Sequence, residues 1–335
     1  MKLAIHHRNH SFSERWIEFC KENSIEFKIV DAFHNDIIEH LKDCDAFMWH
    51  HHHADFKDVT AAKKILFALE HAGIKVFPDF KTGWHFDDKV AQKYLLEAIN
   101  APLVPSYVFY DKQQALDWAK ETTYPKVFKL KGGAGASNVK LVKSQSQAIN
   151  LINQAFGRGF AQFNRIGYLK ERFNKFKNGK DTFIGVLKGI ARIFIVPEFA
   201  KKQSPEKGYI YFQDFIKNNN FDTRVVVINS EFAAAEKRFV RKGDFRASGS
   251  GIFSYEDINL DLIKVAFEVA NKLNLQSVAF DFVLDDNQKP MIIEISYGFG
   301  TGGINNVLGY WDHNLNWYES KFNPQKWIIE NLIKN

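Results

Sequence analysis

The sequence SVAFDFVLDDNQKPMIIEIS, residues 277–296, predicts a β-hairpin near the C-terminal end of the chain. Its two flanking runs are rich in strand-forming residues, and residues 285–290 between them supply turn chemistry. If the turn is symmetric, Asp281 faces Glu294 directly, with Cβ atoms roughly 5 Å apart, and Ser296 follows on the same face. Two carboxylates this close repel unless a proton or a divalent cation lies between them. The pattern therefore indicates a metal site, with a solvated acidic face as the alternative.

The composition places the chain among ordinary soluble globular proteins. A length of 335 residues allows two or three packed units, and 45% hydrophobic with 25% charged residues excludes the disordered and fibrous classes. The N-terminus lacks the apolar run of a signal peptide, and no stretch reaches the roughly 18 to 20 apolar residues of a membrane span. We therefore expect a cytoplasmic protein without a membrane span, with Cys20 and Cys44 as reduced, structural thiols.

The first hundred residues alternate between strand and helix patterns. Helices are predicted over residues 13–23, 37–42 and 61–71, between the strand-like runs LAIHH, EFKIVDA, DAFMW and KVFPD. This order predicts a small parallel βαβ domain. An amphipathic helix over residues 87–99 follows, and the two prolines of APLVPSYVFY mark a boundary. The predicted domains are residues 1–104, 105–215 and 216–335.

A glycine-rich loop between two predicted strands, called the glycine flap below, carries the candidate phosphate-binding residues. Backbone amides of a loop this rich in small residues can wrap a phosphate, and the residues expected to do so are Gly132, Gly133, Gly135 and Ser137. The loop is neither a P-loop nor a dinucleotide fingerprint, because no GK[ST] follows it and the next element is a strand. Lys129 and Lys131 alternate on one face of the incoming strand, so one or both could reach the phosphates. An ordinary turn is the alternative.

A further hairpin is predicted over residues 221–240, turning at Asn229 and Ser230. A two-residue turn places three charged residues on one face, namely Asp222, Arg224 and Lys237. Arg238 then points the other way unless a bulge intervenes. Cationic groups on this hairpin could stabilise transferred charge, and the alternative is a cross-strand ion pair between Asp222 and Lys237.

The rest of the chain is predicted as antiparallel hairpins with one more helix, Leu260–Leu273. The segment from Arg158 to Lys207 holds twelve Lys or Arg against four Asp or Glu, within a net charge of +6 for the chain. Its aromatic residues recur at helical spacing, which favours an amphipathic insertion that guides an anionic substrate over a nucleic-acid surface. His50–His53 follow a predicted strand, and a solvated loop is expected there, with a substrate contact as the alternative.

The order of these parts resembles the ATP-grasp superfamily, and within it the glutathione synthetase and ribosomal-protein glutamate ligase branch. The resemblance rests on a βαβ domain, Lys89 after Asp88, Lys129 before the glycine flap, and the FQDFI, DTR, EKR and terminal acidic hairpin segments. It implies an α/β (α+β) fold, in which an N-terminal βαβ pre-ATP-grasp domain precedes a two-lobed ATP-grasp domain with antiparallel sheets.

The resemblance also implies roles for individual residues. Lys89 and Lys129 would contact ATP phosphates, and magnesium, for which manganese can substitute, would be held by Asp281 and Glu294. The usual Asn two residues after the metal-binding Glu is Ser296 here, so that site would hold one metal more loosely unless a group such as Asn305 substitutes. Arg224 with Lys237 or Arg238 would offset developing charge. The adenine slot would be lined by Gln213, Asp214, Phe215 and Ile216.

The implied activity is that of an ADP-forming ligase that makes a C–N bond through an acyl phosphate. Its partners would be a small-molecule carboxylate and an amine, expected to be anionic, and a faint similarity to ATP-grasp proteins of bacterial surface polysaccharides suggests a sugar acid. The alternatives are an ATP-grasp kinase and a non-catalytic ATP-binding regulatory protein. Nucleic acid is disfavoured as a partner, and the oligomeric state stays open, with a homo-oligomer as one option.

Overall fold

A computed structural model of the chain describes residues 1–132, 138–161, 168–169, 172–173, 176–177, 182–195, 204–241, 243–247 and 249–334. The chain divides into two compact units. One unit consists of Met1–Val104 together with Ile216–Asn335, and the other consists of Pro105–Phe215.

The first unit begins with the expected parallel sheet, in the strand order β2-β1-β3-β4. Its two central strands are fully buried, as the near-continuous apolar runs of a parallel sheet require. The strands are β1 (Leu3–His6), β2 (Phe27–Val30), β3 (Ala46–Trp49) and β4 (Lys75–Phe77), and the helices between them are α1 (Phe12–Glu22), α2 (Ile37–Leu41) and α3 (Phe56–His71). The predicted N-terminal βαβ arrangement is therefore confirmed.

Helix α3 begins five residues earlier than the sequence pattern predicts, because Asp55 accepts a hydrogen bond from the backbone N–H of Lys57 at 2.9 Å and caps the helix. Two further helices lead out of the sheet, α4 (Phe80–Gly83) and α5 (Lys89–Ala98).

The second sheet of this unit contains seven antiparallel strands in the order β13-β12-β9-β10-β14-β15, with β11 pairing β10. Its strands are β9 (Phe221–Ile228), β10 (Phe232–Phe239), β11 (Phe253–Ser254), β12 (Ser277–Leu284), β13 (Pro290–Ser296), β14 (Tyr310–Asp312) and β15 (Trp317–Tyr318). The helices alongside are α9 (Leu260–Leu273), α10 (Thr301–Ile304) and α11 (Pro324–Lys334). Helix α9 has the predicted bounds.

The two faces of this sheet have different partners. One face packs on α9 through side chains such as Val225, Phe280 and Ile295. The opposite face shares a core with α1, β1, β3 and α11, which includes Val226 and Ala279. The face toward the N-terminal sheet is thus apolar at one end, and its other end carries the charged residues described below.

The second unit is built on a four-stranded antiparallel sheet in the order β5-β8-β6-β7. Its strands are β5 (Ser106–Phe109), β6 (Lys126–Lys129), β7 (Lys140–Val142) and β8 (Ile210–Asp214), and its helices are α6 (Lys112–Glu121), α7 (Gln145–Ala155) and α8 (Phe183–Phe194). Apolar residues of α6, α7 and one sheet face, among them Phe128, Ile152 and Phe212, form its core.

The expectation of only one more helix after the glycine flap and α7 is wrong, since α8 and α11 are also helical. In the described part of the chain, no helix combines the length and the hydropathy needed to cross a bilayer.

Candidate functional site

The terminal hairpin has the predicted pairing at its centre. Asp281 on β12 lies directly opposite Glu294 on β13. The turn is not symmetric, however, because β12 and β13 already pair at Leu284 and Pro290, and one extra residue, Ile293, restores the register beside Asp281. The pairing is therefore confirmed, although a β-bulge rather than turn symmetry produces it. Bulges of this kind re-aim side chains and are frequent next to active sites.

Asp281 is the centre of a buried charge network on this face of the sheet. Its carboxylate accepts hydrogen bonds from Arg224 Nε at 2.8 Å and Arg224 Nη2 at 3.0 Å, and Arg238 Nη2 lies 2.8 Å from its Oδ2. Arg238 also donates to Asp222, with its Nε at 2.6 Å and its Nη2 at 2.8 Å. Burial raises the pKa of Asp281, but the two guanidinium groups outweigh that effect and hold it below its usual range.

The loop of the β9–β10 hairpin is longer than predicted, which changes the face of the sheet on which some charged residues lie. Asn229 and Ser230 form the turn as expected, both with left-handed φ, but strand pairing resumes only at Phe232. Because the loop has one residue more than predicted, Asp222 lies opposite Arg238, and Lys237 lies on the opposite face of the sheet. The Lys237 Nζ atom is 5.2 Å from the Phe221 ring centroid. The alternative ion pair between Asp222 and Lys237 is therefore wrong as well.

Glu236 also belongs to this charge network, although it was not among the site residues predicted from the sequence. It lies opposite Arg224 across the strand pair and is 2% exposed. Its Oε2 atom has no hydrogen-bond partner among the residues that the structure describes. Burial raises the pKa of Glu236 to about 7, against the opposing effect of Arg224 and Arg238. The sequence signal was only its position within EKR, which does not reveal that helix α10 covers it.

The Glu294 carboxylate faces Lys89. Asp88 caps helix α5 by accepting from the N–H groups of Val90 and Ala91, which sets Lys89 in the first turn. A cation there is unfavourable to the helix dipole, and Glu294 Oε2 lies 3.6 Å from Lys89 Nζ. The Glu294 side chain remains 37% exposed. The structure thus brings Lys89 next to Glu294, which in turn pairs with Asp281.

His53 adds an unpredicted neighbour to this pair. Burial lowers its pKa to about 4, helped by His52 and Lys89 and opposed by Glu294. His51 is 3% exposed, and the His50 ring stacks on Phe12 with centroids 3.9 Å apart. The expectation of a solvated loop is therefore wrong for His50 and His51, whereas His52 is exposed.

The donor set fits a magnesium ion only together with oxygens from a bound nucleotide. Among the described residues, no group of three or more His, Cys, Asp or Glu side chains could hold a metal ion by itself. Magnesium typically takes one or two protein carboxylates plus substrate phosphates, and Asp281 with Glu294 meets that requirement. The Ser296 hydroxyl donates to the backbone oxygen of Gly298 at 2.6 Å, so it already serves the turn that follows β13.

The second unit places Lys129 in a buried polar cluster on one face of its sheet. Lys129 is 5% exposed, and its Nζ donates to Gln213 Oε1 at 2.7 Å. The Gln213 amide in turn donates to Ser106 Oγ at 3.0 Å, which also accepts from Tyr211 OH at 2.9 Å. The opposite face of the same strands is apolar core. This chain of hydrogen bonds fixes the position of an otherwise flexible lysine.

The remaining nucleotide candidates are described in part. Of the flap residues, Gly132 is half-buried, and Gly133, Gly135 and Ser137 lie outside the described residues. At the end of β8, Asp214 accepts from Lys126 Nζ at 2.6 Å, a partner that sequence reasoning missed. Phe215 and Ile216 follow and are half-buried.

Comparison with known proteins gives matches along most of the chain. Residues 198–311 match the model of the RimK-like ATP-grasp domain, and residues 88–187 match the ATP-binding domain of the carbamoyl-phosphate synthase L chain. Ribosomal protein bS6–L-glutamate ligase of Escherichia coli O139:H28 is 30% identical over 104 residues, 30% of this chain. The aligned part spans about a third, 34%, of that relative's length.

Two solved structures resemble nearly the whole chain. The crystal structure of D-cycloserine synthetase DcsG superposes with a TM-score of 0.59 at 13% identity, covering 100% of this chain and 99% of its own. The biotin carboxylase domain of Hydrogenobacter thermophilus 2-oxoglutarate carboxylase, solved with MgADP and bicarbonate, gives a TM-score of 0.58 at 13% identity, covering 100% of this chain and 70% of its own. At such identities the likeness concerns the fold.

These matches confirm the predicted resemblance to the ATP-grasp superfamily, and the superposed structures confirm the α/β fold with its antiparallel sheets. The C-terminal part that carries Arg224, Arg238, Asp281 and Glu294 is the part that matches the model of the RimK-like ATP-grasp domain.

Proposed function

We propose that this protein is an ATP-dependent ligase that joins a carboxylate to an amine and releases ADP and phosphate. The observation that carries the proposal is the Asp281–Glu294 pair, flanked by Arg224 and Arg238 on one face of the sheet. This arrangement offers carboxylates for a divalent cation beside fixed cationic groups for transferred charge, which are the two requirements of phosphoryl transfer. The names of the matched relatives, a glutamate ligase and a D-cycloserine synthetase, support amide-type chemistry.

The residues proposed to bind ATP are two lysines, the glycine-rich loop and residues 213–216. Lys89 and Lys129 would contact its phosphates, since each is a nearly buried lysine whose position is fixed by a polar partner. The flap glycines and Ser137 would cover the phosphates with backbone amides. The adenine would lie against the chain at residues 213–216.

Asp281 and Glu294 would hold magnesium, with manganese as a substitute, together with phosphate oxygens of the nucleotide. Bound there, the ion would neutralise negative charge on the nucleotide phosphates. Asp281 would serve two purposes, because the same carboxylate orients Arg224 and Arg238.

The proposed reaction has two steps. A carboxylate oxygen of the first substrate forms a bond to the γ-phosphorus while the bond from that phosphorus to the β-phosphate oxygen breaks, giving an acyl phosphate and ADP. The amine nitrogen of the second substrate then bonds to the acyl carbon while the bond from that carbon to the phosphate oxygen breaks, and inorganic phosphate leaves together with the proton that the amine loses. Arg224 and Arg238 would stabilise the charge on the transferred group, whereas Lys237 lies on the opposite face and is not assigned to this step.

The carboxylate and the amine are expected to be small, anionic molecules. A sugar acid of surface polysaccharide synthesis and a cytoplasmic location remain predictions from the sequence alone. The acid is best identified directly, by incubating the protein with ATP, magnesium and hydroxylamine and a panel of amino acids, sugar acids and dicarboxylates. Hydroxamate formation with one class of acid would support the ligase and identify that class. ADP release with a hydroxyl compound, and no hydroxamate in any well, would instead indicate a kinase.

The Glu294→Gln variant tests the proposed metal site. Because it removes an exposed metal ligand rather than a core contact, we expect hydroxamate formation to fall by about a hundredfold or more with an unchanged melting temperature. The matched control is Glu97→Gln, which removes another exposed glutamate paired with a lysine, Lys93, at 2.6 Å. Near-native turnover in Glu294→Gln would reject the metal assignment.

The Lys129→Ala variant tests the phosphate contact. We expect ATP affinity, measured by titration calorimetry, to fall about tenfold or more, in line with the loss of one charge-assisted hydrogen bond. Equal affinity in the two proteins would exclude Lys129 from the phosphate site.

A further inference from the structure

Helix α8 presents an apolar face to the solvent. Phe183, Ile184, Leu187 and Ile190 are 61%, 63%, 48% and 44% exposed. At about 100° per residue these four positions span an arc of about 120°. A surface helix of a globular protein normally turns such a stripe toward a core, so this face has the form of a docking surface.

The opposite side of the helix explains why this face points outward. Gly185 and Gly189 are buried, and Val186 is 8% exposed. A Cβ atom at Gly189 would lie 3.0 Å from Leu169 Cδ1 and 3.4 Å from Arg172 Cβ. The helix therefore packs on the preceding segment through its small residues, and its large apolar residues remain outside.

The apolar surface continues beyond the helix. The ring of Phe176, itself 41% exposed, lies 6.1 Å from the ring of Phe183 between centroids. Phe173 is 55% exposed, and Ile195 at the end of the helix is 60% exposed. The patch is thus larger than one helical stripe.

The charged residues of helix α8 itself are both positive. Helix α8 contains Lys188 and Arg192 and no acidic residue, and both cations are exposed along one edge of the apolar arc. Residues 158–207 hold twelve Lys or Arg and four Asp or Glu, so the net charge of this segment of the sequence is also positive. An occupant of this surface must therefore combine an apolar interior with a negative boundary.

A lipid bilayer with anionic headgroups has that combination. A helix of 12 residues is about 18 Å long, too short to cross the hydrocarbon core but suited to lying in the plane of the interface. A nucleic-acid site would need cations along its contact surface, whereas here the centre of the contact surface is apolar.

We propose that helix α8 docks on anionic membrane surfaces, with its apolar stripe at the boundary of the acyl chains and Lys188 and Arg192 at the lipid phosphates. This adds a place of action to the proposed ligase and does not depend on it.

Co-sedimentation of the full-length protein with phosphatidylglycerol and with phosphatidylcholine vesicles tests the proposal. We expect binding to phosphatidylglycerol that weakens at high salt, and at least tenfold less binding to phosphatidylcholine. The double variant Ile184→Glu with Leu187→Glu should lose binding at least tenfold, because it puts charge into the apolar stripe. Replacing Lys188 and Arg192 by Gln should weaken binding about 25-fold, since each cation near such a surface contributes about fivefold.

The control is Ile29→Glu, which places one glutamate at an isoleucine of similar exposure (57%) on β2. It should bind vesicles like the unchanged protein, and equal melting temperatures would establish that all variants are folded. The proposal is overturned if the unchanged protein does not sediment with phosphatidylglycerol, or if the stripe variant binds as well as the control. It is also overturned if the stripe variant abolishes self-association or oligonucleotide binding while vesicle binding persists.

Discussion

At the scale of single residues, Asp281 is expected to matter for stability as well as for chemistry. Its nearly buried carboxylate accepts hydrogen bonds from two arginines, Arg224 and Arg238. Asp281→Asn would leave these guanidinium groups with too little negative charge in a buried place. We expect the free energy of unfolding, measured with urea in the absence of nucleotide, to fall by about 3 kcal/mol.

A matched substitution separates this effect from the general loss of an ion pair. Asp43→Asn removes a carboxylate that also faces two cations, Lys2 and Lys28, but at the exposed surface. Such pairs contribute little in water, so its urea midpoint should hardly change. Equal losses in the two variants would contradict the importance assigned to the buried network.

Glu236 should make stability depend on pH. Its pKa is raised to about 7 in the folded protein from an ordinary value of 4.5, because burial opposes its charge. The folded state therefore binds more protons than the unfolded state between these values, and stability should decrease as pH rises from about 4.5 through 7. The full effect amounts to about 3 kcal/mol.

Urea unfolding of the protein without nucleotide or magnesium, at several pH values, measures this effect. Glu236→Gln keeps the shape of the side chain and removes its titration, so the decrease between pH 5 and 8 should become smaller by about that amount. Identical pH profiles for the variant and the unchanged protein would mean that Glu236 does not titrate in this range.

These residues also mark how far sequence reasoning reaches. The facing of Asp281 and Glu294 could be predicted from strand and turn propensities, although a bulge at Ile293 replaced the symmetric turn. The face of the sheet on which Arg238 lies could not be predicted, because one extra residue in the β9–β10 loop reverses it. The burial of Glu236 could not be predicted, because the helix that covers it, α10, begins about 65 residues further along the chain.

At the scale of elements, helix α10 closes over Glu236 because it lacks a side chain at Gly303. A Cβ atom there would lie 2.0 Å from Glu236 Oε2 and 2.8 Å from Phe253 Cε1. Since Glu236 is buried, it cannot simply swing into solvent. We expect Gly303→Ala to lower the free energy of unfolding by about 3 kcal/mol, measured by chemical denaturation.

The neighbouring residue in the same helix provides the control. Gly302 has open space around its Cβ position, so Gly302→Ala should leave stability unchanged or slightly higher. Combining Gly303→Ala with Glu236→Ala should restore part of the loss. A loss in Gly302→Ala as large as that in Gly303→Ala would point to the helix backbone and not to the contact with Glu236.

The elements that the sequence predicted well are those with a single buried stripe and clear ends, such as α9 with its Asn259 cap. Helix α8 was missed as a defined element because two glycines, Gly185 and Gly189, lie in its interior and weaken the helix signal of the sequence.

At the scale of the whole molecule, the last helix completes the core that begins with the first strand. Ile329 of α11 is 0% exposed and belongs to the same apolar cluster as Leu3, Trp16 and Phe77. We expect Ile329→Ala to reduce the free energy of unfolding by about 3 kcal/mol, measured by urea denaturation. Ile38→Ala, at a position that is 47% exposed, is the control and should change it by less than about 1 kcal/mol.

The division of the chain into units has a consequence for biosynthesis. The ends of the second unit lie side by side, because β5 pairs with β8 and the N–H of Asp214 donates to Pro105 O at 2.8 Å. That unit is complete once residue 215 has left the ribosome. Residues 1–104 have already been synthesised at that point, but their packing partners, such as Val226 and Ile329, are encoded after residue 216. Residues 1–104 are thus synthesised before the second unit but gain their full core after it, and their exposed apolar strands are a natural target for chaperones during translation.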